Sequence, residues 1–150
     1  MSVHVNVNTQ KLQSFIQKDK ATAPQVLAEW QQEGSQELLM QLRNNTPYKY
    51  GNLREAANKR FTPKGFTIFF TAGKYSSIAG FLEKGTKPHM IFPSNPAGVL
   101  SWTDKSGIQR FAKHVKHPGF SGRFFVQKTR DQARPVLREL YRQIWEKWHR

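Results

Sequence analysis

The chain has no cysteine among its 150 residues, so disulfides and cysteine-ligated zinc are excluded. It is also poor in acid, with 10 Asp and Glu against 24 Lys and Arg. Carboxylates this few and scattered argue against paired-carboxylate acid–base chemistry. No Gly-x-Ser-x-Gly elbow, P-loop or dinucleotide-type glycine run is present. No window approaches the roughly 18 apolar residues of a membrane span. The stretch Met1-Ser2-Val3-His4-Val5-Asn6-Val7 alternates apolar and polar residues and lacks the pattern of a signal peptide. A soluble protein used without export, without membrane contact and with no cofactor is expected.

What is present is aromatic and basic. The hydrophobic share is only 37%, but 11 Phe, 4 Trp and 4 Tyr carry much apolar area per residue. A single domain with a compact aromatic core is expected at this length. The formal charge is +14. It is spread out: residues 1–60 carry 8 basic and 5 acidic residues, 61–125 carry 9 and 2, and 126–150 carry 7 and 3. Such a field favours contact with DNA, RNA or an acidic protein surface.

Periodicity sets out the elements. Residues 1–8 read as a short strand or arm, and Thr9 is placed to cap a short helix carrying Leu12, Phe15 and Ile16, within an arm-plus-helix region 1–20. Pro24 opens a helix over 24–45, with Val26, Leu27, Trp30, Leu38, Leu39 and Leu42 largely on one face. Gly34 weakens its middle by about 1 kcal/mol relative to Ala. Pro47 ends it by pushing Thr46 out of the helical region. Leu53 to Arg60 reads as one or two helical turns or the start of a strand.

The middle, 60–116, reads as sheet. Phe66 to Thr71, Ser77 to Leu82 and His89 to Phe92 are expected strands. Val99 to Thr103 and Ile108 to Val115 flank Asp104-Lys105-Ser106-Gly107, a hairpin over 99–115. Its faces are both mixed, as in an exposed or subunit-contacting ribbon. The C-terminus, 126–149, reads as helix, with Pro135 starting it or lying within one that begins near Phe125. The fold class expected is α+β: an antiparallel sheet of about four to five strands against a long helix from the N-terminal half and a C-terminal helix.

Several chemistries are compatible with scattered residues. Arg130, Arg134, Arg138 and Arg142 recur every four residues, a basic ridge toward DNA or a neighbouring subunit, or a solvated edge whose stems cover aromatics. His114 and His117, with His89, suggest a metal site but lack a carboxylate second shell. His117 or His89 as the general base of a nuclease is an alternative, and so is RNA stacking on Phe66, Phe69 and Phe70. Pro118 and Gly119 make a turn the simpler role for His117.

Read in order, a set of short motifs resembles one family. These are Thr46-Pro47-Tyr48-Lys49-Tyr50-Gly51-Asn52-Leu53-Arg54, Phe81-Leu82-Glu83-Lys84-Gly85-Thr86, and Lys87-Pro88-His89-Met90-Ile91-Phe92-Pro93. Ala97 to Trp102, Val115-Lys116-His117-Pro118-Gly119 and Arg123-Phe124-Phe125 follow. The series, over about residues 25 to 148, resembles the HK97 gene-10-like neck and tail-completion proteins of tailed bacteriophages. The sequence departs from that pattern at Lys49-Tyr50 and Phe124. The resemblance implies a non-enzymatic virion protein, assembled in the host cytoplasm into a ring of six or twelve copies at the head–tail junction. Its partners would be the connector or adaptor and the tail-tube protein, with non-specific contact to DNA in the channel. Gly51, Leu53, Glu83, Gly85, Thr86, His117, Pro118 and Gly119 would fix loop geometry. The 99–115 hairpin and the loop after Gly73 would be contact arms. A basic nucleic-acid-binding module is the alternative.

Overall fold

The computed structural model describes residues 4–10, 22–48 and 52–148. Its elements are β1 (His4–Asn8), α1 (Ala23–Asn45), α2 (Asn52–Glu55), β2 (Ala57–Thr62), β3 (Gly65–Phe70) and α3 (Lys74–Lys84). After these come β4 (Gly85–Thr86), β5 (His89–Ile91), β6 (Leu100–Thr103), β7 (Gln109–Ala112), β8 (Val115–His117), β9 (Phe120–Ser121) and α4 (Phe125–Trp148). The class is α+β, as expected. The strands divide into a three-stranded antiparallel sheet, β1–β3–β2, and three two-stranded antiparallel ladders. The Leu12–Phe15–Ile16 helix and Gly51 lie outside the described residues.

β3 is the central strand and carries the densest aromatic run. Phe66, Ile68 and Phe70 are buried. Their neighbours explain why so apolar a strand forms here. Phe66 packs 5.4 Å from Trp30 of α1, and Phe70 sits edge-on, 6.0 Å from Phe125 of α4. The stacking surface for RNA is therefore core: Phe66 and Phe70 are unreachable, and half-buried Phe69 lies against His4 and the Arg60 guanidinium.

α1 and α4 run antiparallel. Lys147 meets Glu29 at one end, at 2.5 Å, and Asn45 Nδ2 donates to Thr129 Oγ1 at the other, at 3.0 Å. Val26, Trp30, Leu38 and Leu42 form the buried stripe of α1, facing Ala133, Leu137 and Ile144 of α4. The Trp30 indole N–H, buried with the ring, donates to the Leu137 carbonyl at 3.2 Å. Gly34 belongs to this contact. A Cβ there would stand 3.2 Å from Leu137 Cδ2 and 3.4 Å from Phe66 Cε1. The glycine lets α1 lie close to both α4 and β3, which offsets its low helix propensity.

One expectation is corrected, and a pair of alternatives is decided. Ser77 to Leu82 is not a strand but part of α3, so the contact arm expected after Gly73 is a helix as well. The reason is visible in burial: Ser76, Ala79 and Gly80 are covered, at i, i+3 and i+4 spacing. These small side chains seat a helix against β3, and they carry little hydrophobic signal of their own. Of the two readings of Pro135, the one with the helix beginning near Phe125 holds: Pro135 lies inside α4. Its ring sits on the exposed side, while Phe125, Thr129, Ala133 and Leu137 hold the buried side through that point.

Candidate functional site

The resemblance motifs converge on backbone junctions. The first closes α1. Thr46 Oγ1 donates to the Leu42 carbonyl at 2.6 Å, and the Thr46 N–H reaches the same oxygen at 2.9 Å. Arg54 of α2 then donates from Nε to the Thr46 carbonyl at 3.0 Å. Its guanidinium lies 4.9 Å from the centre of the Tyr48 ring. A cation thus meets the negative end of α1. Leu53 packs half-buried against the core beside it.

The second junction is built on Glu83, in the last turn of α3. Its carboxylate accepts the Val126 N–H at 2.8 Å and the Gln127 N–H at 3.1 Å. Glu83 therefore caps α4 from 43 residues away. The backbone follows suit: Arg123 N–H donates to the Leu82 carbonyl at 2.8 Å and Phe124 N–H to the Glu83 carbonyl at 3.2 Å. Phe124 holds a left-handed conformation, φ 49°, as the chain turns into α4.

Gly85-Thr86 and Phe120-Ser121 pair as β4 and β9, and His89–Ile91 pairs with Val115–His117 as β5 and β8. These two ladders share one register. Extending β4–β9 by two residues brings Pro88 opposite Pro118, and one more brings His89 opposite His117, the pairing observed. Neither proline has an N–H to give, so the ladder breaks there and resumes. Gly85 (φ 80°) and Gly119 (φ 76°) both occupy the left-handed region. A Cβ on Gly85 would fall 2.3 Å from the Phe120 carbonyl oxygen, and one on Gly119 would fall 2.2 Å from that of Thr86. The two motifs that stand thirty residues apart in sequence are thus the two strands of one ribbon.

His117 serves that ribbon. Its Nδ1 accepts the Gly119 N–H at 3.0 Å, which leaves the ring proton on Nε2. His89 lies opposite, ring centres 5.0 Å apart, with Nδ1 held 2.9 Å from the Lys87 carbonyl. His114 is against Phe92 instead. Among the described residues no group of three or more His, Asp or Glu gathers as a metal site. Of His89, His114 and His117, only His89 and His117 are brought together, ring against ring.

Beyond this ribbon the β6–β7 hairpin continues the projection. Leu100 pairs with Ala112 and Thr103 with Gln109. Asp104 organises the loop: its Oδ1 accepts the N–H groups of Ser106 and Ile108, and Oδ2 holds Arg110 at 2.9 Å. These contacts hold its carboxyl below the usual range, the Ile108 N–H most strongly. Residues 85–121 form one arm, with Phe92 and Phe111 each 65% exposed and Val99, Trp102 and Ile108 also in solvent. Both faces are mixed, as the sequence implied.

The arginine row divides in two. Arg142 is ion-paired with Glu139 at 2.6 Å and with Glu146. Arg142 in turn depresses Glu139 to about 2. Arg130, Arg134 and Arg138 line a groove of about 580 Å³ beside β1. Arg130 lies 3.6 Å from exposed Asp131, while Arg134 and Arg138 form no ion pair among the described residues. The first three arginines therefore share one groove, Arg130 beside the Asp131 carboxylate.

A feature not singled out from the sequence lies across α1 and α4. Glu33 and Glu37 on α1 face Glu139 on α4 across an open groove of about 780 Å³. The i, i+4 spacing of Glu29, Glu33 and Glu37 was the available signal. Comparison with protein-family models, with curated proteins and with solved structures gives no match.

Proposed function

We propose that this protein is a structural component of a tailed-phage virion, a ring-forming head–tail joining or tail-completion protein. The observation that carries the reading is the arm: a ribbon of residues 85–121 that leaves large apolar and basic side chains in solvent. Phe92, Val99, Trp102, Ile108 and Phe111 all lie in solvent on this one projection, as on a surface that meets a partner. The motifs that suggested the family have a matching physical role. Glu83, Gly85, Thr86, His117, Pro118 and Gly119 lock the root of the arm to α3 and α4. A joining protein needs such a projection held rigidly on a compact body, so that subunit contacts repeat from copy to copy.

In this reading six or twelve copies surround the DNA channel and bridge the connector to the tail tube. Arg134 and Arg138 supply positive charge toward DNA or an acidic neighbouring ring. No substrate is turned over. The test is co-migration in size-exclusion chromatography with the connector and with the tail-tube protein of the same phage. Wild type should bind at least one of them, and a Phe111→Ser/Trp102→Ser arm variant should lose that binding while keeping its helical circular dichroism. Binding to neither protein would remove the reading. Binding unaffected by the arm variant would remove the arm from it.

A further inference from the structure

We infer that the arm of one copy of this chain docks into the acidic groove between α1 and α4 of a second copy. The inference rests on the assembly reading above and names the surface that receives the arm. The groove has the chemistry for it. Glu33, Glu37 and Glu139 line it with apolar and glutamine side chains, and among the described residues no Lys or Arg does; Arg142 holds Glu139, and Lys59 reaches Gln36 at the rim at 3.0 Å, so Glu33 and Glu37 carry its charge. Glu33 and Glu37 form no ion pair among the described residues. Met40 and Val136 lie in the same groove, 51% and 40% exposed. In a chain with only 10 acidic residues against 24 basic ones, this is a rare acidic surface.

The arm is its complement. Residues 85–121 hold five Lys or Arg and a single acid, Asp104, which Arg110 already neutralises. Its cross-strand pairs set a basic side chain beside an apolar one, Met90 with Lys116 and Trp102 with Arg110. Lys113 and Lys116 stand exposed and form no ion pair among the described residues. Among the described residues the arm's side-chain hydrogen bonds stay within the arm, and no arm residue lines the groove of its own copy. The sign of the groove repels phosphate and selects a cationic apolar segment. The segment from Gln109 to Ser121, three short strands in succession, spans at most about 40 Å at the usual rise, on the scale of a subunit boundary. Arm and groove are different surfaces of one chain, so the contact is heterologous. Copies joined this way add head to tail and close as a ring when the rotation permits.

The test uses two full-length charge-reversal variants, Lys113→Glu/Lys116→Glu in the arm and Glu33→Lys/Glu37→Lys in the groove, followed by sedimentation velocity. Wild type should self-associate, and more weakly in about 0.5 M salt. Each variant alone should associate roughly 10- to 100-fold more weakly, because like charges then meet. An equimolar mixture should recover assembly in even copy numbers, since the acidic arm of one fits the basic groove of the other. That recovery also shows that both variants are folded. If a reversal unfolds the chain, Glu33→Gln/Glu37→Gln should weaken association in the same direction by a smaller factor. A wild-type chain monomeric up to about 1 mM overturns the inference, as does a mixture no better than its components. If the groove variant assembles on connector or tail-tube protein as well as wild type does, the groove is wrong and the joining role stands. If wild type binds neither protein, the joining role itself falls.

Discussion

Replacing Glu83 with alanine removes the cap of α4 without touching the core. The carboxylate accepts two N–H groups of the first turn, from Val126 at 2.8 Å and Gln127 at 3.1 Å. A helix N-cap contributes about 0.5–2 kcal/mol, and two charge-assisted bonds put this one at the upper end. Glu83 is half-buried, so water recovers part of the loss for the freed N–H groups. The net cost is therefore about 2 kcal/mol for Glu83→Ala and about 1 kcal/mol for Glu83→Gln, which keeps one acceptor. For a domain of this size that lowers Tm by roughly 4–8 °C and 2–4 °C respectively. Thermal unfolding by circular dichroism reads the shift, with Glu55→Gln, an exposed acid that caps nothing, as the control. The order Ala below Gln below wild type is the signature of a cap. Shifts no larger than that of the control would refute the reasoning and leave Glu83 as a surface residue.

The other predictions concern the same joints and the core. Gly119→Ala should destabilise by about 2 kcal/mol or more and disturb the β4–β9 ladder, because strain at positive φ adds to the clash with Thr86; unchanged amide-exchange protection at Thr86 and Phe120 would contradict this. Leu38→Ala, at 1% exposure among α1, α4 and β3, should cost about 2–5 kcal/mol in denaturant unfolding. Glu139, held near 2 in the folded chain by Arg142, contributes stability that is present above the ordinary carboxylate range and is lost as pH falls toward 2. Glu139→Gln should therefore flatten the acid limb of a Tm–pH profile, slightly, since the pair lies at the surface. Arg134→Ala/Arg138→Ala should reduce the salt dependence of any DNA binding by a slope of at most about 2; an unchanged slope would take these arginines away from phosphate.

The helices and the central strand were legible because their signals are strong and local. Pro24, the Val26-to-Leu42 stripe and Thr46-Pro47 bound α1 to within a residue. Gly65–Phe70 announced itself by its aromatic and β-branched content, and the Asp104–Gly107 loop by its turn chemistry. α3 was not legible as a helix. Its contact face is Ser76, Ala79 and Gly80, residues with little hydrophobic signal, while Phe81 points outward and gives a false one. The junction motifs were legible as motifs but not as mechanisms. Glu83 capping a helix 43 residues away, and Gly119 meeting the Thr86 carbonyl, are long-range contacts that no local pattern encodes. The arginine row was periodic in sequence, yet Arg142 is neutralised by Glu139 and Glu146 on its own helix. The acidic groove needed two helices to be brought side by side before its charges could be seen as one surface.

The central claim is that this chain assembles into a ring that joins two larger structures. Native mass spectrometry of the chain, alone and mixed with a phage tail-tube protein as the proposed partner, tests it most directly. The account gives a closed species of six or twelve copies, formed alone or on the partner, and lost when Lys113 and Lys116 are reversed. A chain that stays monomeric in both samples, with no mass for a complex, would contradict it.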